Sequence, residues 1–243
     1  MTFRHCLIAA TACLAVTACS EAEEPATQTI EREAENSGER ASETLPARPV
    51  GDYAPRDECR DVPGASEFLN SLERAVTARN ADALLALTKD DVYLDFGGGS
   101  GKPLLRERLA DKEYELWEAL DDLMTLGCAS DGESLTLPWY FAQDLDPMHD
   151  AYGSYVIMGN DVPLYAAVDG DEQLRTLDWD MVLLAAFAGD VEEDWEALRW
   201  QVQMEDGTRG FVAQDRMRSL IDYRIGVVRE DGRWRIRNFI AGD

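Results

Sequence analysis

Trp200-Gln201-Val202-Gln203-Met204-Glu205-Asp206-Gly207-Thr208-Arg209-Gly210-Phe211-Val212 alternates apolar and polar residues, turns at an Asp-Gly pair and returns through Gly-Phe-Val. Period-two alternation places Trp200, Val202 and Met204 on one face of a strand, and Asp-Gly suits a tight hairpin turn. Short, turn-bounded segments upstream (155–158, 162–165, 174–177 and 181–186) have the same character. Strands of this length and spacing predict a small β-barrel over 151–219.

The segment ahead of the barrel has a different rhythm. Phe68, Leu69, Leu72, Ala75 and Val76 recur at helical spacing behind a start at Pro63-Gly64-Ala65-Ser66. Asn80 can cap a second short helix, and Val92-Tyr93-Leu94-Asp95-Phe96 has the composition of a strand. After the glycine run 97–101, Pro103 fits the first turn of another helix. A stronger helix is predicted over 112–126, where Leu116, Trp117, Leu120, Leu123 and Met124 form an apolar stripe ended by Gly127. Beyond the barrel, 222–229 and 233–240 flank Asp231-Gly232 as a hairpin. A two-residue turn pairs Val227 with Ile236 and Tyr223 with Ile240. Arg224, Arg235 and Arg237 then fall on the opposite face, with Gly226 across from Arg237.

The first eighteen residues carry a basic start, Arg4-His5, and an apolar run from Cys6 to Val16 that is too short to span a bilayer. The run ends in Val16-Thr17-Ala18-Cys19, which resembles the lipobox of bacterial lipoproteins. That resemblance implies cleavage before Cys19, lipid on its thiol and amino group, and attachment to a membrane. The competing reading is an ordinary signal peptide with a cysteine by chance. Ser20 after the cysteine resembles the outer-membrane sorting pattern of Gram-negative lipoproteins. Residues 19–56 are rich in Glu, Ala, Ser, Thr and Pro, so they bury too little apolar area to offset ordering entropy and are expected to act as a spacer.

The 243-residue chain has a formal net charge of -25, which argues against nucleic acid as a partner because phosphates would be repelled. Of five cysteines, the lipobox resemblance implies that Cys6 and Cys13 leave with the signal and that Cys19 carries lipid. Cys59 and Cys128 remain as one pair in an oxidising compartment, and a disulfide is expected, the alternative being two buried thiols.

Two further resemblances set the expected fold class, α+β. Val162-Pro163-Leu164-Tyr165, Leu174-Arg175-Thr176-Leu177, Trp200-x-Val202 and Asp206-Gly207-x-x-Gly210-Phe211-Val212 look like the bacterial SH3 family, with Gln214-Asp215-Arg216-Met217 where that family has a turn of helix. Leu164 replaces the family's early arginine, and 189–198 is a longer acidic insert. The flanks, with two helices, the strand 92–96, a glycine loop, a helix and the late Trp234-x-Ile236-x-x-Phe239, look like the NTF2-like (SnoaL-like) cone, helices on a curved antiparallel sheet. The implied organisation is an NTF2-like part at 57–150, an SH3-like barrel at 151–219, and a hairpin at 220–243 that completes the first sheet. The rival is a helical region followed by a barrel with a loose tail.

Candidate chemistry is sparse. The glycine run lacks the P-loop pattern, because Phe96 and Pro103 stand where Gly and Ser or Thr belong, and Lys102 spoils a dinucleotide fingerprint. No zinc set is left once the cysteines pair. Asp144, Asp146 and Asp150 lack the calcium-loop spacing. No cofactor and no metal are expected. Tyr93 and Asp95 share a strand face and are weak candidates for acid–base work with Tyr223 or His149, if burial raises the Asp95 pKa. Arg224, Arg235 and Arg237 are candidates for holding a carboxylate or phosphate. Trp200, Tyr165 and Phe211 are candidates for a barrel groove, with a place in the core as the alternative for each. These readings lead to a lipid-anchored protein on the periplasmic side of the envelope, with a binding or scaffolding role in which the barrel holds peptidoglycan or a protein. The alternative is small-molecule binding or lyase- or isomerase-like activity in the cone, and a platform with neither ligand is the third reading.

Overall fold

Helix α1, Ala65–Thr77, forms where Phe68, Leu72, Ala75 and Val76 line one buried face. Asn80 opens α2, Ala81–Ala86, its side-chain oxygen accepting from the Ala83 amide at 3.0 Å. Helix α3 spans Lys102–Ala110 with Pro103 in its first turn. The helix predicted over 112–126 is divided. Asp111 accepts from the Glu113 amide and starts a 3-10 turn at Lys112–Tyr114, Glu115 adopts φ 48°, and α4 then runs Leu116–Thr125. The apolar stripe survives because Leu116, Leu120 and Leu123 all follow the break.

The computed structural model describes residues 51–143, 150–186 and 196–242, and these have an α+β architecture with two sheets. The first sheet holds β1 (Thr88–Tyr93), β2 (Ala129–Ser130), β3 (Ser134–Leu137), β11 (Arg224–Glu230) and β12 (Arg233–Ile240), in the order β1-β12-β11-β3-β2. Strand β1 runs parallel to β12, and the other pairs are antiparallel. Ile225, Val227, Trp234, Ile236 and Phe239 pack on Leu72, Leu105, Leu120 and Leu123 of the helices. Each such side chain contributes about 1.5–3 kcal/mol when fully buried.

The C-terminal hairpin departs from the sequence reading at one point. Val227 does pair with Ile236, but the register then shifts by one, so Gly226 faces Asn238 and Arg224 faces Ile240. Tyr223 is therefore not opposite Ile240, and Gly226 is not opposite Arg237. The reason is the spacing Trp234-x-Ile236-x-x-Phe239. Phe239 lies three positions after Ile236, and an extra residue at 237 returns Phe239 to the buried face.

The second sheet is built from consecutive strands: β4 (Ser154–Ile157), β5 (Val162–Tyr165), β6 (Gln173–Leu177), β7 (Met181–Leu184), β8 (Arg199–Gln203), β9 (Arg209–Ala213) and β10 (Met217–Ser219), in the order β10-β4-β7-β8-β9-β5-β6. Its core holds Ile157, Leu164, Leu177, Leu184, Val202 and Val212. A third cluster, including Leu126, Trp139, Tyr140, Val156, Met181 and Leu220, packs side chains from both parts together. Buried Arg218 of β10 crosses the same seam, donating to the Tyr140 hydroxyl at 2.8 Å and the Tyr223 carbonyl at 2.7 Å.

Cys59 and Cys128 are joined by a disulfide across a sequence separation of 69, with Cα atoms 5.7 Å apart. Backbone bonds of 2.8 Å, from the Glu58 amide to Cys128 and from the Cys128 amide to Arg56, run beside it. A closed loop of this size restricts the unfolded chain, so Cys59→Ser with Cys128→Ser is expected to cost about 4 kcal/mol. Urea unfolding of oxidised wild type and double variant measures it, and equal stabilities would show that the bridge contributes nothing.

Candidate functional site

The face of the first sheet turned away from the helices carries a groove. Lys89, Asp91 and Tyr93 alternate along β1 and form one side. Phe141 and Ala142, from the 3-10 turn Trp139–Ala142, also line it. The strand register places Tyr93, Asn238, Gly226 and Thr136 in one row across β1, β12, β11 and β3. Arg224, Arg237 and Ile240 flank that row. The groove has a volume of about 690 Å³, within the range of about 300–1,000 Å³ that accommodates small-molecule ligands.

Its cations are held in different ways. Arg224 is buried, donates to the Gly242 carbonyl at 2.7 Å and the Ile221 carbonyl at 3.3 Å, and lies over the Phe141 ring at 4.5 Å. It is a fixed positive wall. Lys89 is paired with Glu230 at 2.8 Å, which holds its ammonium pKa above the usual lysine range, and Asp91 lies 3.8 Å away. Arg237 is the extra residue of the bulge and is exposed; among the described residues it has no ion pair or hydrogen-bonding partner.

Gly226 has a specific reason to lack a side chain. A Cβ there would lie 2.3 Å from the Asn238 side-chain oxygen. The glycine lets the carboxamide lie across β11, in the middle of the groove floor. The space over Gly226 is therefore taken by Asn238.

The structure separates several candidates that the sequence grouped. Tyr93 lines the groove, its ring edge-on to half-exposed Phe96 at 5.9 Å. Asp95 does not line it; its carboxylate meets Arg108 and accepts from the Gly99 amide at 2.8 Å. The Arg108 hydrogen bond, and then that of Gly99, hold the Asp95 pKa below the usual carboxylate range, opposite to what acid–base work was expected to require. A Cβ on Gly99 would fall 1.9 Å from Asp95, so the glycine run wraps a carboxylate of its own chain. Tyr223 packs against Phe239, ring centroids 4.9 Å apart and tilted by 44°, beside the helix-covered core. Arg235 leaves the arginine set, because its guanidinium donates to the Ala86 carbonyl. Asp144, Asp146, His149 and Cys19 lie outside the described residues.

In the second sheet, Trp200 is core, 8% exposed and edge-on to Tyr155 at 5.8 Å. Alternation along β8 turns it inward with Val202, so it is not a groove aromatic. Tyr165 and Phe211 face each other across β5 and β9, partly exposed, with the Arg199 guanidinium 3.6 Å above the Tyr165 ring.

Sequence reasoning missed Lys89, Thr136, Phe141 and Asn238. Alternation over Ser134-Leu135-Thr136-Leu137 could have marked β3 and its outward threonine. Nothing local assigns Phe141 or Lys89 to this face. Among the described residues no cluster of three metal-ligating side chains occurs, and no helix is long and apolar enough to cross a membrane.

No protein-family model matches the chain, and no curated protein matches it in sequence. Among solved structures, a calcium/calmodulin dependent protein kinase II association domain from Xanthomonas campestris aligns with 79% of this chain and 98% of that one. The identity is 11% and the TM-score 0.29, a likeness that identifies neither a family nor an activity.

The lowered Asp95 pKa has a consequence for stability. Its ion pair stabilises the fold above the unfolded carboxyl pKa, and that stabilisation is lost as pH falls through the lower, folded value. Asp95→Asn is expected to be less stable than wild type at pH 7, with the gap closing below about pH 4. Carboxyl NMR of Asp95 should show titration below the ordinary 3.8; titration above it would return Asp95 to acid–base chemistry.

Proposed function

We propose that this is a lipid-anchored cell-envelope protein with a non-catalytic binding role, which takes an anionic group of the cell wall into the groove of its first sheet. The observation that carries this reading is the groove itself. Lys89, Arg224 and Arg237 converge there in a chain whose net charge is -25. Concentrating cations against that background provides a local attraction for a carboxylate or phosphate. A lyase- or isomerase-like reaction on Asp95 would need a carboxylate of raised pKa, and Arg108 pulls the other way.

The finer fold reading belongs to the same proposal. We read the helices on the first sheet as an NTF2-like layer and the second sheet as an SH3-like barrel set into it. Consecutive strands β4 to β10 forming their own sheet, and the return of β11 and β12 to the sheet of β1 and β3, support that organisation. The lipid anchor rests on Val16-Thr17-Ala18-Cys19. The partly exposed pair Tyr165 and Phe211 favours a second reading, in which the barrel contributes contact to a wall peptide or a partner protein.

Co-sedimentation of the full chain with peptidoglycan sacculi, in mild detergent at near-physiological salt, tests the binding reading. Wild type is expected to sediment saturably, and Arg237→Glu to weaken it by about tenfold. Loss with Tyr165→Ala and Phe211→Ala, but not with Arg237→Glu, would transfer the site to the barrel. The anchor has its own test in a Gram-negative host. Cys19→Ser is expected to leave the detergent-extracted membrane fraction, and unchanged membrane retention would remove the lipid from the proposal.

A further inference from the structure

We infer that the groove is shaped for a carboxylated sugar, an inference that rests on the anionic-ligand reading above and makes it specific. The central row presents a phenol on Tyr93, a carboxamide on Asn238 and a hydroxyl on Thr136, in register across four strands. Among the described residues none of these side chains has a hydrogen-bonding partner in the protein. Each can both donate and accept, which is what a ring of hydroxyls requires. A simple inorganic anion needs donors only and would leave the acceptors of this row unused.

Charge sets the second condition. Lys89 is tied to Glu230, Asp91 stands at the rim, and Arg224 donates to two backbone carbonyls. Arg237 is the cation without such a tie among the described residues. One planar guanidinium matches one carboxylate through two parallel hydrogen bonds. That arrangement suits a monoanion better than a doubly charged phosphate. A neutral sugar would leave Arg237 without a partner, and a small aliphatic acid would leave the polar row unoccupied.

The third condition is an apolar surface for the carbon skeleton of the ring. Tyr93, Phe141 and Ile240 supply it around the row. The Gly226 backbone lets the Asn238 carboxamide lie at the floor, between the Tyr93 and Thr136 positions, so the polar contacts come from below. The same chemistry occurs in two sources, a wall sugar bearing a lactyl carboxylate and a uronic acid of a polysaccharide.

Isothermal titration of the full-length protein in detergent tests this, with N-acetylmuramic acid and D-glucuronate as the acidic sugars. N-acetylglucosamine, D-glucose, acetate and inorganic phosphate are the comparison probes. At least one acidic sugar is expected to bind about tenfold or more tightly than all four. The stronger of the two identifies the source. Arg237→Ala should abolish the preference for acid over neutral sugar. Thr136→Val keeps the shape of a β-strand residue and should weaken the acidic sugar about fivefold while leaving acetate unchanged. Acetate or phosphate binding as tightly as the acidic sugars, with Arg237 dependence, would overturn the sugar inference and leave the anionic-ligand reading standing. Binding of none of the probes would overturn both.

Discussion

The bulge at Arg237 is the constraint on which both faces of the first sheet depend. A regular hairpin can place Trp234 and Ile236 against the helices, but it would then turn Phe239 outward. One extra residue restores Phe239 to the core, where it packs with Ile225 and Val227. The same insertion frees Arg237 from a cross-strand neighbour and brings Asn238 opposite both Gly226 and Tyr93. Burial on one side therefore dictates which polar groups appear together on the other. Bulges that re-aim side chains in this way recur next to functional sites.

The groove also depends on how the chain is held around it. Phe141 sits in the 3-10 turn that follows β3, beside Tyr140, which is fully buried between the two sheets. Arg218 reaches that tyrosine from β10, and its Nε lies 3.4 Å from the Asp222 carboxylate, within ion-pair range. Burying a guanidinium is costly unless its protons are used, and here two nitrogens donate to Tyr140 and the Tyr223 carbonyl. Burial raises the Tyr140 pKa, so the phenol stays neutral and can accept from Arg218. The site thus combines a side chain positioned at the seam with a floor from the first sheet.

Much of the local structure was legible because it follows from periodicity and turn chemistry. The apolar stripes of α1 and α4, the Asn80 cap and the Asp206-Gly207 turn are set by neighbouring residues. Errors arose where a distant requirement overrode local pattern. A turn-based register pairs Tyr223 with Ile240 because it takes no account of the bulge required by Phe239. Trp200, an aromatic on an alternating strand, was equally suited to groove or core, and alternation with Val202 put it in the core. Tyr93 and Asp95 lie two residues apart, and spacing alone makes them one unit. The glycine loop folds back on Asp95 and removes it, which spacing alone does not reveal.

By itself the sequence determined the secondary-structure rhythm, the acidic background, the two cysteines at 59 and 128, and the presence of arginines on the last hairpin. These depend on composition and short-range spacing. Tertiary structure decided which of those arginines act together. Arg235 is used on Ala86, Arg224 is locked to two carbonyls, and Arg237 stays open beside Lys89 and Thr136 from strands far apart in the chain. A side chain's partner is set by the register and packing of every strand between them. Those are global properties of the folded chain, with no local signature to read.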